Sequence, residues 1–318
     1  MSQSVITKEQ LQTNPARFIE QNIKQFMRTS PANRLSFMKD YAIWAEPLVK
    51  FADGDDPIFT EYKGIIGPAH LTPREALAKT YNRSPKDMPA HLSVISWILP
   101  ATEETRTSNR AETRVPGRLW SHTRWYGEKC NEKLRAYVVE NLAEFGYLAV
   151  APALQPYFKI DANEKGLYSN WSERHIAYAA GHGTFSLSDG LITECGIAHR
   201  CGSVVTDLPI PASPRTAKSP YSNCLFYLGI KCRACMNRCP AGAITERGHD
   251  RYRCSKYLDD IGYFAVLRDG YDNDRSVAGC GLCQTKVPCE FQNPSKKLKR
   301  GNRITRDQGD CTRSHDVD

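Results

Sequence analysis

Cys232-Arg-Ala-Cys235-Met-Asn-Arg-Cys239-Pro240 reads as C-x2-C-x3-C-P, and Cys254, Cys280-Gly-Leu-Cys283 and Cys289 follow it. With Cys224 just ahead, this stretch carries eight of the chain's twelve cysteines. Thiolate sulfur is a soft ligand that suits iron–sulfur clusters, and a run that closes on Cys-Pro is one such clusters use. Eight thiolates are what two [4Fe-4S] clusters require. The stretch therefore marks a small metal-holding lobe and an electron carrier or reductase.

Two other uses of these cysteines compete with that reading. Disulfides need an oxidising compartment, and the start MSQSVITKEQ shows no basic stretch, apolar region or twin arginine of an export signal. Zinc can take C-x2-C pairs, but its ribbons do not usually carry C-x3-C-P, and His249 is the one histidine in the stretch. Clusters and free thiols are oxygen-sensitive, so a cytoplasmic, anaerobic setting is expected.

In two-cluster proteins the cysteine before proline ligates the other cluster. Cys239 is thus expected to leave its neighbours and join Cys254, Cys280 and Cys283. Cys232 and Cys235 then need two further ligands. A regular run would place one at position 229, where Gly229 stands, so Cys224 is the substitute. The second motif closes irregularly, with Val287 at the expected cysteine position and Pro288-Cys289 after it, so Cys289 completes the first set. If Cys224 or Cys289 cannot reach, the first site could be a three-iron cluster or take a non-cysteine ligand.

The rest of the 318 residues allow one large domain and a small one. No apolar run approaches the roughly 20 residues of a membrane helix. The net charge is +8, with late cations at Lys296, Lys297, Lys299, Arg300, Arg303 and Arg306. Such a run is a solvated tail or an arm for RNA or an acidic electron donor, and without an aromatic after Phe291 it cannot stack bases.

Residues 1–90 read as mostly helical, punctuated by Pro15, Pro31 and Pro47. Leu92–Leu99 (LSVISWIL), Tyr147–Ala151 and Ser203–Leu208 read as strands, the first buried. Helices are expected over Ser121–Phe145, where Leu134, Tyr137, Val138, Leu142 and Phe145 share a face, and over Ser172–Ala180. Thr102–Arg118 reads as a charged, mobile loop or lid. The class is α/β (α+β), with a core over 91–215, a boundary in the proline-rich 209–220 segment, a cysteine lobe over 216–292 and a basic tail over 293–318.

The stretch from Ala179 through Gly181-His182-Gly183-Thr184-Phe185 to Thr193, then Cys201-Gly-Ser-Val-Val-Thr-Asp-Leu-Pro209, ahead of two cysteine motifs, resembles the family of epoxyqueuosine reductases and reductive dehalogenases. The resemblance runs over about Ser93 to Cys289. It implies a corrinoid (cobalamin) in a nitroreductase-like sheet-and-helix domain, followed by a ferredoxin-like domain with two [4Fe-4S] clusters. Electrons would pass from a donor such as ferredoxin or flavodoxin through the clusters to cobalt. The reaction would be reduction of an epoxide in a modified tRNA base, removal of a halide, or reduction of a corrinoid that belongs to another protein. A carrier without corrinoid is the alternative.

Gly181, His182, Gly183, Thr184 and Cys201 are the corrinoid candidates that follow. Two glycines flanking one residue permit close backbone approach to a ligand, or simply a tight turn. His182 could donate a proton, face cobalt or be an ordinary loop histidine. The family's epoxyqueuosine reductases carry a catalytic aspartate before the helix that matches Glu173 onward. Here Leu167, Tyr168, Ser169 and Asn170 stand there, and the nearest aspartate is Asp161. Tyr168 could take the proton-donor part that a tyrosine has in the dehalogenases. Cys195 and Cys201 with His199 could bind a metal but read better as buried or loop thiols. Trp120, Trp125 and Tyr126 could cap a cofactor and read better as packing.

Overall fold

The computed structural model describes residues 8–164, 166–269 and 279–296. Its frame is a four-stranded antiparallel sheet in the order Leu48–Asp53, Ser93–Pro100, His199–Thr206, Ala149–Val150. Ser93–Pro100 is central and buried along its whole length. Its side chains leave the two faces alternately. Ile95, Trp97 and Leu99 enter a core with Leu134, Val138 and Leu142 of the Arg118–Glu144 helix. Val94 enters a second core with Phe59, Tyr62, Leu77 and Trp171. Helices cover both faces, so the strand is a continuous apolar run instead of an alternating one.

The molecule is thus a mixed helix-and-sheet protein. The expected strand at 92–99 and helix at 121–145 are present within a few residues of those bounds. Three expectations need correction. The first 90 residues are not simply helical, because Leu48–Asp53 pairs with Ser93–Pro100 and makes a sheet edge. Lys50 in its middle hid the pattern, and its ammonium donates to the carbonyl of Gly181 at 2.8 Å. The third strand runs over His199–Thr206 and not Ser203–Leu208, so Cys201 lies inside it.

Thr102–Arg118 is not all loop. Glu103–Arg110 is a helix, with the Thr102 hydroxyl accepting from the Thr105 amide as its cap. Glu103, Arg106 and Arg110 are held in ion pairs. Arg110 holds Glu290 at 2.7 Å and Arg106 holds it at 3.3 Å, and Glu290 is 2% exposed. Among the described residues no helix is long and apolar enough to cross a membrane. Cys311 and the tail cations from Lys297 onward lie outside the described residues.

Candidate metal centre and glycine stretch

The cysteine lobe is a chain of short turns, the Ala234–Arg238 helix and the Arg251–Asp269 helix, which carries Cys254. Its thiols sort into two groups by which sulfurs lie within electrostatic reach of each other. Cys289 senses Cys235, Cys224 and Cys232; Cys235 senses Cys232 and Cys224; Cys224 senses Cys232. Cys283 senses Cys280, Cys254 and Cys239; Cys254 senses Cys280 and Cys239; Cys280 senses Cys239. Cys283 also senses Cys235, so the two groups lie side by side.

Cys224, Cys232, Cys235 and Cys289 line one cavity of about 20 Å³, walled on its apolar side by Leu187, Ile192 and Val287. Among the described residues no three His, Cys, Asp or Glu side chains are drawn together as ligands of a single ion. A zinc ion gathers its thiolates at about 2.3 Å from one centre, whereas a cubane spreads its ligands over four corners.

Burial lifts the thiols: Cys235 is pushed up to about 12 and Cys254 to about 11, each lifted further by the neighbouring sulfurs. Such a group cannot ionise together without a cationic centre among them. Main-chain amides already face several sulfurs. Leu187, Tyr227 and Phe226 supply backbone hydrogen bonds to Cys224, Leu282 and Gly281 supply them to Cys280, and the amide of Ala243 donates to Cys239 Sγ at 3.3 Å. These contacts favour thiolate and tune a cluster's potential. The donor set, its sorting and its amides fit two four-iron clusters.

Several side chains that hold this lobe were not legible in the sequence. Trp120 Nε1 donates to the carbonyl of Gly279 at 2.8 Å, and its ring lies 2.0 Å from where a Cβ on Gly281 would sit. Gly281 has φ +59°, so both conformation and space demand glycine in Cys280-Gly-Leu-Cys283. Asn109 is buried; its Nδ2 donates to the carbonyl of Cys280 and to Thr285 Oγ1, both at 3.1 Å. Arg238, next to Cys239, donates to the carbonyls of Glu112, Asn109 and Thr285 at 2.7, 3.1 and 3.1 Å. Asp189 receives Arg251 at 2.9 Å and His249 at 3.2 Å, tying the turn before Leu191–Thr193 to the helix that carries Cys254. Asn109, Arg238, Asp189, Arg251 and His249 are polar residues in polar stretches, and only the tertiary contact distinguishes them from solvated ones.

The glycine stretch is built differently. A Cβ on Gly183 would meet the carbonyl oxygen of Ile192 at 2.1 Å, and one on Gly181 would meet that of Pro214 at 2.7 Å. The steric need for glycine at these two positions comes from the chain's own backbone. Thr184 is fully buried and its hydroxyl accepts from the amide of Asn223 at 2.8 Å. His182 is 2% exposed, and its Nε2 donates to the carbonyl of Ser96 at 3.0 Å, leaving Nδ1 buried without a partner. Burial holds its imidazole down to about 3, so it is neutral and a poor proton donor.

Cys201 packs with Ile98, Ala177 and Leu191, its thiol pushed up to about 12 by burial. Beside it Arg135 is buried between Glu128 at 3.0 Å and Glu173 at 3.1 Å, and Ser203 donates to Glu173 at 2.6 Å. Tyr168 belongs to another place, the Ile160–Asn163/Gly166–Ser169 hairpin, where its ring covers Gly67. Gly181, His182, Gly183, Thr184 and Cys201 therefore share one side of the sheet without forming a cradle that fits a corrinoid. Gly183→Ala is expected to lower stability by about 2–3 kcal/mol, because Leu191–Thr193 must move. Urea unfolding checks this, and a variant as stable as the parent contradicts the packing.

Fold and site together define a mixed helix-and-sheet protein with a lobe of eight free thiols in two groups of four. No protein-family model matches the chain, and no curated protein matches it. It is similar to solved structures of two kinds of reductase. An epoxyqueuosine reductase with an epoxyqueuosine-modified tRNA-Tyr stem loop is 14% identical over 86% of this chain and 66% of its own, with a TM-score of 0.42. The epoxyqueuosine reductase of Bacillus subtilis is 15% identical over the same shares, also at 0.42. The catabolic reductive dehalogenase NpRdhA is 13% identical over 80% of this chain and 31% of its own, at 0.45. The chain spans under a third of that dehalogenase and about two-thirds of the two reductases.

Proposed function

We propose that this chain is a two-cluster iron–sulfur oxidoreductase that takes electrons singly from a carrier protein and passes them to a redox partner. Cys224, Cys232, Cys235 and Cys289 hold one [4Fe-4S] cluster in this reading, and Cys239, Cys254, Cys280 and Cys283 hold the other. The sorting of eight thiols into two groups of four carries it. When bound, each cluster stores and releases one electron. The chain's own part is to place the sulfurs, to aim amides at Cys224, Cys239 and Cys280 that partly offset the rise from burial, and to exclude water with Leu187, Ile192 and Val287.

The lobe is ferredoxin-like in its ligand spacing, and the larger part takes the role that the resemblance gives to a nitroreductase-like domain. Gly181, His182, Gly183, Thr184 and Cys201 pack against the rest of the chain. That filled interior favours delivery of electrons to a redox group held by a partner. A corrinoid protein is the class the resemblance names, and such a reaction needs no catalytic acid on this chain. Epoxide reduction on tRNA and halide removal would need one, and neither the buried His182 nor Tyr168 on its separate hairpin supplies it. Titration of oxygen-free protein with dithionite tests the proposal. It predicts uptake of about two electrons per chain with loss of visible absorbance. A protein that takes up none is not a two-cluster carrier.

A further inference from the structure

Arg238 stands one residue before Cys239, and its guanidinium is pinned between the second ligand loop and the end of the Glu103–Arg110 helix. Its Nε donates to the carbonyls of Thr285 and Leu282 at 3.1 and 3.3 Å, its Nη1 to that of Glu112 at 2.7 Å, and its Nη2 to that of Asn109 at 3.1 Å. Leu282 lies between Cys280 and Cys283. All four partners are neutral. The acid that acts on Arg238 most is Glu290, and Glu290 is already held by Arg106 and Arg110. The hydrogen bonds alone make Arg238 a staple between the lobe and the larger part. Its charge does something more.

Arg238 is within electrostatic reach of Cys280 and Cys283, and it works against burial to favour the thiolate of Cys280. Arg174 acts on Cys254 in the same sense, but Asp189 opposes it there. Arg124 passes Gly279, with Glu128 as an acid in its reach. The first group is different. The main influences on Cys224, Cys235 and Cys289 are burial, other sulfurs and main-chain amides. Arg233, beside Cys232, is exposed and tied to Glu246.

A four-iron cluster going from the 2+ to the 1+ state gains one electron and no proton. A fixed cation nearby favours the more negative state and so raises the reduction potential. Arginine keeps its charge, and a half-buried guanidinium is screened less by salt than an exposed one.

We propose that Arg238 is the fixed cation that raises the potential of the cluster on Cys239, Cys254, Cys280 and Cys283, and so sets how readily that cluster takes an electron from its neighbour. This rests on the two-cluster reading.

The test follows both clusters of the full-length protein, prepared without oxygen and with iron and sulfide measured, by paramagnetic resonance at set potentials. The signal that survives in Cys224→Ala with Cys289→Ala identifies the second cluster. Arg238→Gln should lower the reduced-to-oxidised ratio of the second cluster about tenfold at a given potential, a shift of about 59 mV for one electron, and move the first cluster much less. Arg238→Lys keeps the charge without the fork of donors, and its second cluster should stay near the parent's potential. An iron-loaded Arg238→Gln protein whose two potentials stay put, or fall alike, overturns this role alone. Should Arg238→Gln lose the second cluster, Arg238→Lys decides. A lysine variant that holds the cluster at the parent's potential supports the role of charge. One that loses the cluster, or lowers its potential tenfold in the same ratio, leaves Arg238 a staple and overturns the proposal. A parent without iron and sulfide overturns the two-cluster reading and this role with it.

Discussion

Cys224→Ala combined with Cys289→Ala will remove one cluster and leave the other. These two residues lie at opposite ends of the cysteine stretch, beyond both dense motifs. Yet Cys289 senses Cys224, Cys232 and Cys235, and none of the second group is among its main neighbours. The double variant is therefore expected to fall from about eight iron atoms per chain to about four, with the reduced second cluster still giving its electron paramagnetic signal. Chain stability should also drop, because metal binding to a buried site is part of the folding free energy. If Cys224 and Cys289 served different clusters, both signals would be damaged together. The complementary variant, Cys239→Ala with Cys254→Ala, should spare the first cluster although Cys239 stands only four residues after Cys235.

Acid will destabilise the fold well before its carboxylates protonate. Burial lowers His182 to about 3 and His70 to about 4, and both are essentially without solvent exposure. His70 accepts from the amide of Ser172 at 3.1 Å and stacks on Trp171, so its neutral form is built into the second core. His175 and His199 are shifted the same way by burial, to about 3 and about 4, from more accessible positions. For each group the folded value lies below the ordinary one near 6.5. Its contribution is therefore complete above that pH and is lost as pH falls towards the folded value. At about pH 5 His70 and His182 should each have cost roughly 2 kcal/mol relative to pH 7. Urea unfolding between those values, followed by tryptophan fluorescence, measures it. His182→Gln, which keeps a donor for Ser96, should lessen the slope by about one proton. A parent whose stability is flat over that range contradicts the burial of neutral imidazoles.

The large elements were legible because their signals are long. Eight branched or aromatic-rich residues mark the central strand, and Leu134, Val138 and Leu142 mark the longest helix. The grouping expected of the thiols came from the rule about the cysteine before proline for Cys239, and from the displaced positions 229 and 287 for Cys224 and Cys289. What escaped reading was whatever depends on contact at a distance. Leu48–Asp53 carries a lysine that looks solvated until Gly181 receives it. Glu290 looks like a surface charge until Arg106 and Arg110 bury it beside Cys289. Gly181 and Gly183 could mean ligand approach or a tight turn, and a Cβ at each would meet the backbone of Pro214 and Ile192. A glycine records that something comes close but not what.

The most direct measurement is iron and acid-labile sulfide per chain in protein isolated without oxygen. Two clusters on these eight sulfurs predict about eight of each. Zinc in their place, or iron without sulfide, would contradict the central claim.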